Sequence, residues 1–183
     1  MAMSQAIALT GTPGTGKSSV ARRLAGRFRV VEVRDLARKV GAVRRRGASV
    51  EVDLDALSRA VRRPATVGAP ELIVGHLAHL LPLKDAIVLR CHPDELRARL
   101  RRARRGTSAD RQSNYVCEAT DSILIEARRL GRRVFEIDTT NRTVEAVARG
   151  VARRLRGQDP ARSKPVDWLA DPAVTAHLLD RPT

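Results

Sequence analysis

Short apolar runs alternate with longer amphipathic stretches along most of this chain, the pattern of strands and helices that follow one another in an α/β protein. The first run, residues 6–10, ends in glycines, as a buried parallel strand does where it enters a loop. Further strands are predicted at 30–33, 72–74, 86–89 and 134–137. Helices are predicted at 18–25, 93–104, 116–130 and 144–155. This alternation predicts a parallel sheet of five strands with helices on both faces.

Three segments depart from the alternation. Residues 34–64 are mostly helical in pattern, with a break at Arg44-Arg45-Arg46-Gly47, and residues 105–113 are polar and predict a loop. From residue 158 onward, repeated prolines predict a tail that crosses the surface or is partly disordered. With 183 residues in all, the predicted organisation is one domain over 1–157 and a tail over 158–183.

Composition and charge narrow the range of partners. Aromatic residues make up 2% of the chain, too few for a surface that stacks bases. The formal net charge is +15, so polyanions are the natural partners, with nucleotides first and RNA as an alternative. A coding bias toward arginine would produce the same charge, so charge alone does not decide between them.

The remaining composition points to the cytoplasm. Cys91 and Cys117 are too few for a disulfide framework and suit a reducing compartment. The first residues lack the basic flank and the apolar run of a signal peptide. No stretch approaches the ~20 apolar residues of a membrane span. We therefore expect a soluble cytoplasmic protein without a membrane partner, and the sequence does not indicate its oligomeric state.

The strongest motif is Gly11-Thr12-Pro13-Gly14-Thr15-Gly16-Lys17-Ser18, which satisfies G-x-x-x-x-G-K-[ST] between a predicted strand and a predicted helix. Such glycines let backbone N–H groups turn inward around phosphates, and the following helix adds its positive N-terminal end. Lys17 is expected to reach the β- and γ-phosphates of ATP, and the Ser18 hydroxyl to hold Mg²⁺. ATP and Mg²⁺ are therefore the predicted cofactors. The loop residues expected to bind the nucleotide are Gly14, Thr15, Gly16, Lys17, Ser18 and Ser19.

The phosphate loop resembles that of the adenylate kinase 6 family, the Fap7-type kinases. Other segments are similar to this family in the same order: 35–38, 52–57, 75–82, 89–93, 114–127 and 135–140. The segment 75–82 is closest to the archaeal branch. The loop alone is shared by many families, whereas this ordered set of segments is specific.

The resemblance implies adenylate kinase and ATPase activities in a P-loop NTPase fold with strand order 2-3-1-4-5. It also implies an AMP-binding arm at about 34–64 and a small lid at about 104–114. Members of the family are linked to maturation of the small ribosomal subunit, which implies rRNA or a ribosomal protein of that subunit as a further partner.

The resemblance also assigns roles to single arginines. Arg38 is expected to hold the phosphate of AMP, because a guanidinium grips a phosphate in two places; a solvated helix arginine is the alternative. Arg104, with Arg105 next, is expected to bind the ATP phosphates from the lid and to stabilise charge in the transition state. Thr107 stands where the family lid often carries Tyr, so the register of the lid arginines is open.

His76 aligns with the histidine of a D-x-H segment in eukaryotic members and is expected to be catalytic; a hydrogen-bonded histidine at a strand end is the alternative. The Asp position of that segment is Val74 here, so no carboxylate follows the third strand in the usual place. Mg²⁺ is then expected to rest on Ser18, phosphate oxygens and water. A zinc site at His76 and His79 is disfavoured, because no second ligand pair has a recognised spacing.

Acidic residues near these segments have modest expected roles. Asp53 and Asp55 are expected to be solvated or to cap a helix, since carboxylates would repel a nearby phosphate. The segment 138–140 ends the fifth strand, where an open α/β sheet binds ligands, and is expected near the adenine or ribose of ATP. A helix N-cap is the alternative for this segment.

The favoured function is therefore an adenylate kinase that converts ATP and AMP into two ADP by in-line transfer. An ATP-dependent ribosome-assembly factor that binds rRNA or a ribosomal protein is the alternative. A kinase acting on a small molecule such as a sugar acid would share the loop but not the ordered segments.

Overall fold

The computed structural model of the chain describes residues 6–46, 49–61, 71–158 and 165–180. The strands are β1 (Ile7–Thr10), β2 (Arg29–Glu32), β3 (Val43–Arg46), β4 (Ser49–Val52), β5 (Glu71–Val74), β6 (Asp85–Arg90) and β7 (Arg133–Asp138). The α-helices are α1 (Lys17–Leu24), α2 (Val33–Lys39), α3 (Leu54–Val61), α4 (Pro93–Arg102), α5 (Ser108–Ala119), α6 (Ser122–Arg129), α7 (Val144–Leu155) and α8 (Pro172–Leu179). A short 3-10 helix spans Ala78–Leu80.

Five strands form one parallel sheet in the order β2-β5-β1-β6-β7. Counted along the chain, this is the predicted order 2-3-1-4-5, so the fold class is confirmed. All six residues of β6 are buried, as expected for a strand covered on both faces. Because the strands are parallel, their carboxyl ends meet at one edge, where ligands bind in folds of this kind.

Two apolar layers cover the sheet. On one face, α1 and α7 pack their Leu, Val and Ala side chains against residues such as Leu9 and Ile87. On the other face, α2, α3 and the 3-10 helix pack against Ala8, Ile73 and Ala86. Small residues at the centre of the second face let the arm helices approach the sheet closely.

The stretch from residue 34 to residue 64 is less helical than its pattern suggests. Helices α2 and α3 flank an antiparallel hairpin, β3–β4, in which Val43 pairs with Val52. In β4, valines alternate with polar residues with a period of two, which favours a strand over a helix. Asp53 caps α3 by accepting a hydrogen bond from the N–H of Ala56 at 2.9 Å, as expected for it. Residues 47–48 and 62–64 of the predicted arm lie outside the described residues.

Two expectations after α4 are wrong. Residues 105–113 do not form a loop throughout, because α5 begins at Ser108, where Thr107 and Asp110 form a reciprocal capping box. The stretch 116–130 is not one helix, because Asp121 adopts a left-handed conformation, with φ of 55°, between α5 and α6. The predicted lid at 104–114 is thus a short connection followed by the first turns of α5.

The C-terminal tail is more structured than its prolines suggest. Pro172 lies in the first turn of α8, where proline suits a helix, and Asp171 caps that helix. Val174 and Trp168 pack against Tyr115 of α5 and its neighbours. The tail residues 159–164 and 181–183 lie outside the described residues. No helix in the described part of the chain is long and apolar enough to cross a membrane.

Candidate active site

The phosphate loop, residues 11–18, joins β1 to α1 at the carboxyl edge of the sheet. Gly14 and Gly16 have φ of 98° and 96°, a left-handed conformation that glycine adopts at no steric cost. A Cβ on Gly14 would also lie 2.8 Å from Cδ1 of Leu96, so the close approach of α4 requires glycine here. Gly16 is the N-cap of α1, which places the positive end of that helix at the loop.

Lys17 is held inside this loop. Its ammonium donates hydrogen bonds to the carbonyl oxygens of Gly11 at 2.6 Å and Thr12 at 2.9 Å. Burial lowers the pKa of Lys17 to about 8, although the negative charges of Glu118 and Glu32 oppose the shift. An ammonium shielded from water interacts strongly with a phosphate oxygen, because the local dielectric constant is low.

Glu118 of α5 holds the start of the phosphate loop through a hydrogen bond to Thr12. One carboxylate oxygen of this buried residue accepts a hydrogen bond from the Thr12 hydroxyl at 2.5 Å. The other accepts from Nε of Arg90 at 2.9 Å, from the N–H of Cys91 at 3.1 Å and from Nε1 of Trp168 at 3.2 Å. A single side chain of α5 therefore ties together the phosphate loop, the end of β6 and the tail.

Arg90 lies at the centre of a buried charge network. Besides Glu118, it donates to the carboxylates of Glu136 at 2.9 Å and of Asp121. Its side chain is 2% exposed, so the carboxylates rather than water satisfy the guanidinium. Sequence reasoning gave Arg90 and Glu118 no role. The available signal was an arginine directly after the apolar run 86–89, since a buried arginine requires partners.

A cleft of about 1400 Å³ runs from the phosphate loop to the arm. Lys17, Ser18 and Ser19 line its inner end, and residues of α2, β3, β4 and α3 line its outer end. Asn114 of α5 and Arg105, in the connection before α5, line it from the side of the predicted lid.

The arm end of the cleft is positively charged. Arg38 lines it, together with Arg22 of α1 and Arg34 of α2. The Arg38 side chain is 68% exposed and lies 3.7 Å from a carboxylate oxygen of Asp35. A surface pair of this kind is weak, so its loss on binding an anion costs little. Arg38 therefore lines the same cleft as two arginines that sequence reasoning did not single out.

The lid arginines do not share one location. Arg105 lines the cleft, whereas Arg104 is exposed, has a φ of 48° and is not among the described residues that line it. Arg99 of α4 lines both this cleft and a second, smaller cavity. Its guanidinium donates hydrogen bonds to Oγ1 of Thr139 at 3.1 Å and to the carbonyl oxygen of Thr139 at 2.7 Å. It also donates to a carboxylate oxygen of Glu95 at 3.0 Å. Sequence reasoning favoured Arg104 and Arg105 instead, because Thr139, which follows β7, is distant from Arg99 in sequence.

His76 and His79 have different surroundings. His76 lines the cleft, and burial together with the positive charge of Lys17 lowers its pKa, so the ring is neutral near pH 7. His79 is buried, with Nδ1 at 2.9 Å from the Thr10 hydroxyl and Nε2 at 2.9 Å from a Glu126 carboxylate oxygen. Across the described residues, no group of three or more potential metal ligands comes together.

A second cavity of about 410 Å³ adjoins the phosphate loop on its other side. Thr139, which follows β7, lines it, so the end of β7 lies beside the loop. Asp138 accepts hydrogen bonds from the N–H and the hydroxyl of Thr140, at 2.8 and 2.6 Å, and so shapes this turn. Asn141, Arg142 and Val144 complete a wall that combines polar and apolar groups, which suits a nucleoside.

A parallel sheet with a complete phosphate loop and two adjoining cavities defines the class of P-loop nucleotide-binding proteins. The family model described as AAA domain matches residues 7–121. A protein of Archaeoglobus fulgidus described as "Putative adenylate kinase" is 41% identical over 171 residues, covering 90% of this chain and 92% of that protein. A protein of the same description from Pyrococcus furiosus is 39% identical over 165 residues, covering 88% and 90%.

The chain belongs to the P-loop kinase family of these archaeal proteins. The solved structure of shikimate kinase from Acinetobacter baumannii has the same fold, with a TM-score of 0.55 at 14% identity. That match covers 86% of this chain and 96% of the shikimate kinase. The membership makes the chain a nucleotide-dependent phosphotransferase.

Proposed function

We propose that this protein is an adenylate kinase, which transfers the γ-phosphoryl group of ATP to AMP and forms two ADP. The observation that carries the proposal is the cleft itself, with the phosphate loop at one end and Arg22, Arg34 and Arg38 at the other. A donor phosphate at Lys17 and an acceptor phosphate at Arg38 would face each other along one path. The names of the archaeal relatives support the same acceptor.

The donor side binds ATP. The N–H groups at the start of α1 surround the phosphates, and the second cavity receives the nucleoside beside Thr139. Arg99 borders both cavities, so its guanidinium is placed near the phosphates that connect the two. We retain Arg104 and Arg105 as proposed phosphate ligands, with Arg105 already lining the cleft.

The inner end of the cleft offers oxygen donors that suit Mg²⁺. The Ser18 hydroxyl follows Lys17, lines the cleft and is exposed to it. Mg²⁺ bound with ATP would neutralise charge on the β- and γ-phosphate oxygens. Ser18 would hold the ion, and Lys17 would bind the adjacent phosphate oxygens.

Positioning and charge are sufficient for the reaction. In-line phosphoryl transfer needs no protein nucleophile, and arginines that neutralise the equatorial oxygens supply most of the catalysis. His76 at the cleft wall is neutral and can hydrogen-bond a phosphate or a water molecule, which is the role we propose for it.

Diadenosine pentaphosphate tests the arrangement, because it links two adenosines at the length of an ATP and an AMP placed end to end. We expect it to bind far more tightly than ATP or AMP alone and to compete with both. Competition with ATP but not with AMP would refute a shared cleft.

A second candidate function rests on the arginines beside the cleft. Arg101 and Arg102 at the end of α4 and Arg104 and Arg105 in the connection that follows are all exposed, in a chain of net charge +15. If this surface binds rRNA, the affinity should fall steeply as salt rises, because counterions are released on binding. ATP should also change the affinity for rRNA at fixed salt, since Arg105 lines the cleft. An affinity for rRNA that is the same with and without ATP would refute this second function and leave only the kinase function.

A further inference from the structure

The position at which this fold usually carries a metal-binding carboxylate is apolar here. Val74 ends β5 and is fully buried in the layer that packs against α1. Val74 therefore offers the Ser18 hydroxyl no acidic partner at the carboxyl end of β5.

The neighbouring strand supplies a carboxylate at the same level. Glu32 is the last residue of β2 and pairs in register with Val74. Val30 packs in the layer on the α1 face, and Val31 in the layer on the opposite face. Because side chains alternate along a strand, Glu32 returns to the face of α1 and the phosphate loop.

The contacts of Glu32 lead to the same place. Glu32, Ser18 and Lys17 all line the large cleft. The negative charge of Glu32 opposes the lowering of the Lys17 pKa that burial causes, so the two side chains lie close enough for their charges to interact. Among the described residues that line the large cleft, Glu32 is the one acidic side chain, and Arg22, Arg34 and Arg38 line the same cleft. A carboxylate in a pocket for polyphosphate is unfavourable unless a cation stands between the two anions.

We propose that Glu32 replaces the missing carboxylate and, together with Ser18, holds the Mg²⁺ that accompanies ATP. The inference rests on the proposed function, since it assumes that ATP occupies the cleft. Mg²⁺ prefers oxygen ligands and commonly uses one or two carboxylates with phosphate oxygens and water, which this pair provides. A simpler role, in which Glu32 only balances the charge of Lys17, predicts no special link to the metal.

The test compares binding of the β,γ-imido analogue of ATP with Mg²⁺ and with EDTA, by titration calorimetry. In the unaltered protein we expect Mg²⁺ to tighten binding. The Mg²⁺ gain is the dissociation constant of the analogue in EDTA divided by that in Mg²⁺. In Glu32→Gln, which keeps the size and a hydrogen-bonding oxygen, this gain should shrink about 10- to 100-fold. Mn²⁺ affinity of the analogue complex, measured by electron paramagnetic resonance, should fall by the same factor.

Two further variants complete the experiment. Asp180→Asn removes one negative charge from the exposed end of α8 and should leave the Mg²⁺ gain unchanged. Glu32→Asp keeps the charge and should retain more of the gain than Glu32→Gln does. If Glu32→Gln fails to fold, the Mg²⁺ gain measured in Glu32→Asp still tests the proposal.

The possible failures are distinguishable. If Glu32→Gln changed the affinity for the analogue by the same factor in Mg²⁺ and in EDTA, the Mg²⁺ gain would equal that of the unaltered protein. That result would assign Glu32 to charge balance and overturn the metal role. A loss of AMP affinity with an unchanged Mg²⁺ gain would overturn it in favour of the acceptor site. If the unaltered protein did not bind the analogue at all, the proposed function would fail, and the role of Glu32 with it.

Discussion

At the phosphate loop, three charged side chains depend on one another through short contacts. Lys17 lies against the carbonyls of Gly11 and Thr12, Glu118 holds the Thr12 hydroxyl, and Arg90 holds Glu118. The loop is therefore supported by charges in the core as well as by its glycines. Substitutions in this set should separate the binding of phosphate from the stability of the fold.

Lys17→Met should lower the turnover number about 10²- to 10³-fold, because the variant loses a cation at the transferring phosphate. Thermal unfolding should not occur at a lower temperature, since the change removes a charge that is costly to bury. Steady-state kinetics and circular dichroism check both parts. Near-normal turnover in a folded variant would remove Lys17 from the site.

Arg38→Ala should weaken AMP binding about 10- to 100-fold, the value of a lost charged hydrogen bond, while ATP binding stays within a few-fold. Arg59→Ala is the matched control, because Arg59 is exposed on α3 and is not among the described residues that line the cleft. Separate titrations with each nucleotide give the answer. An equal loss for both nucleotides would argue against an acceptor role for Arg38.

Arg90→Met should lower the free energy of unfolding by about 3–5 kcal/mol, because it strands the buried carboxylates of Glu118 and Glu136. Arg128→Met removes an exposed partner of the same Glu136 and should cost about 0–1 kcal/mol. Urea denaturation of the two variants provides the comparison. Similar losses would mean that the buried network contributes no more than a surface pair.

At the scale of elements, helix α5 is joined to the C-terminal tail by a hydrogen bond. Trp168 donates to Glu118 of α5, and its ring meets the His92 ring edge-on at 5.2 Å between centroids. His92 also lies 3.1 Å from Asp171, the N-cap of α8. The tail thus rests on the side chain that fixes the phosphate loop.

Trp168→Phe should cost about 1 kcal/mol of unfolding free energy, because Glu118 loses one donor while the ring packing is kept. Leu169→Ala, at an adjacent position that is 50% exposed, should change stability by no more than about 0.5 kcal/mol. Urea denaturation again measures both. A larger effect at Leu169 would show that the tail docks through a different surface.

The sheet and the phosphate loop could be predicted from sequence, because apolar runs and the glycine motif are local signals. The hairpin β3–β4, the break at Asp121 and the helical start at Ser108 could not, since they depend on pairing, a turn conformation and a cap. Helix α8 lay among prolines that suggested a loop. These misses concern elements outside the five-stranded sheet.

The site was predictable only in part, for a related reason. Lys17 and Ser18 follow from the motif, whereas Glu32, Arg99 and Glu118 gain their positions from contacts with residues far away in sequence. Glu32 had one usable signal, a charged residue at the carboxyl end of a predicted strand. Sequence reasoning looked for the carboxylate on β5 and did not consider the strand beside it.

At the scale of the whole molecule, one cleft extends from the phosphate loop to the arginines of α1 and α2. In the proposed function, the loop would hold the donor phosphates and these arginines the acceptor phosphate, in line with one another. The net charge of +15 adds a long-range attraction for nucleotides, which raises association rates at low salt. Acceptor identity is then decided within the cleft and not by the overall field.

Phosphorus NMR of the purified protein with ATP, Mg²⁺ and one acceptor at a time determines whether AMP is the acceptor. The acceptors are AMP, the other three nucleoside monophosphates, shikimate and gluconate. We expect rapid formation of two ADP for each ATP consumed with AMP, and little loss of ATP without it. Release of inorganic phosphate at the same rate whether or not AMP is present, or faster transfer to shikimate or gluconate, would contradict this expectation.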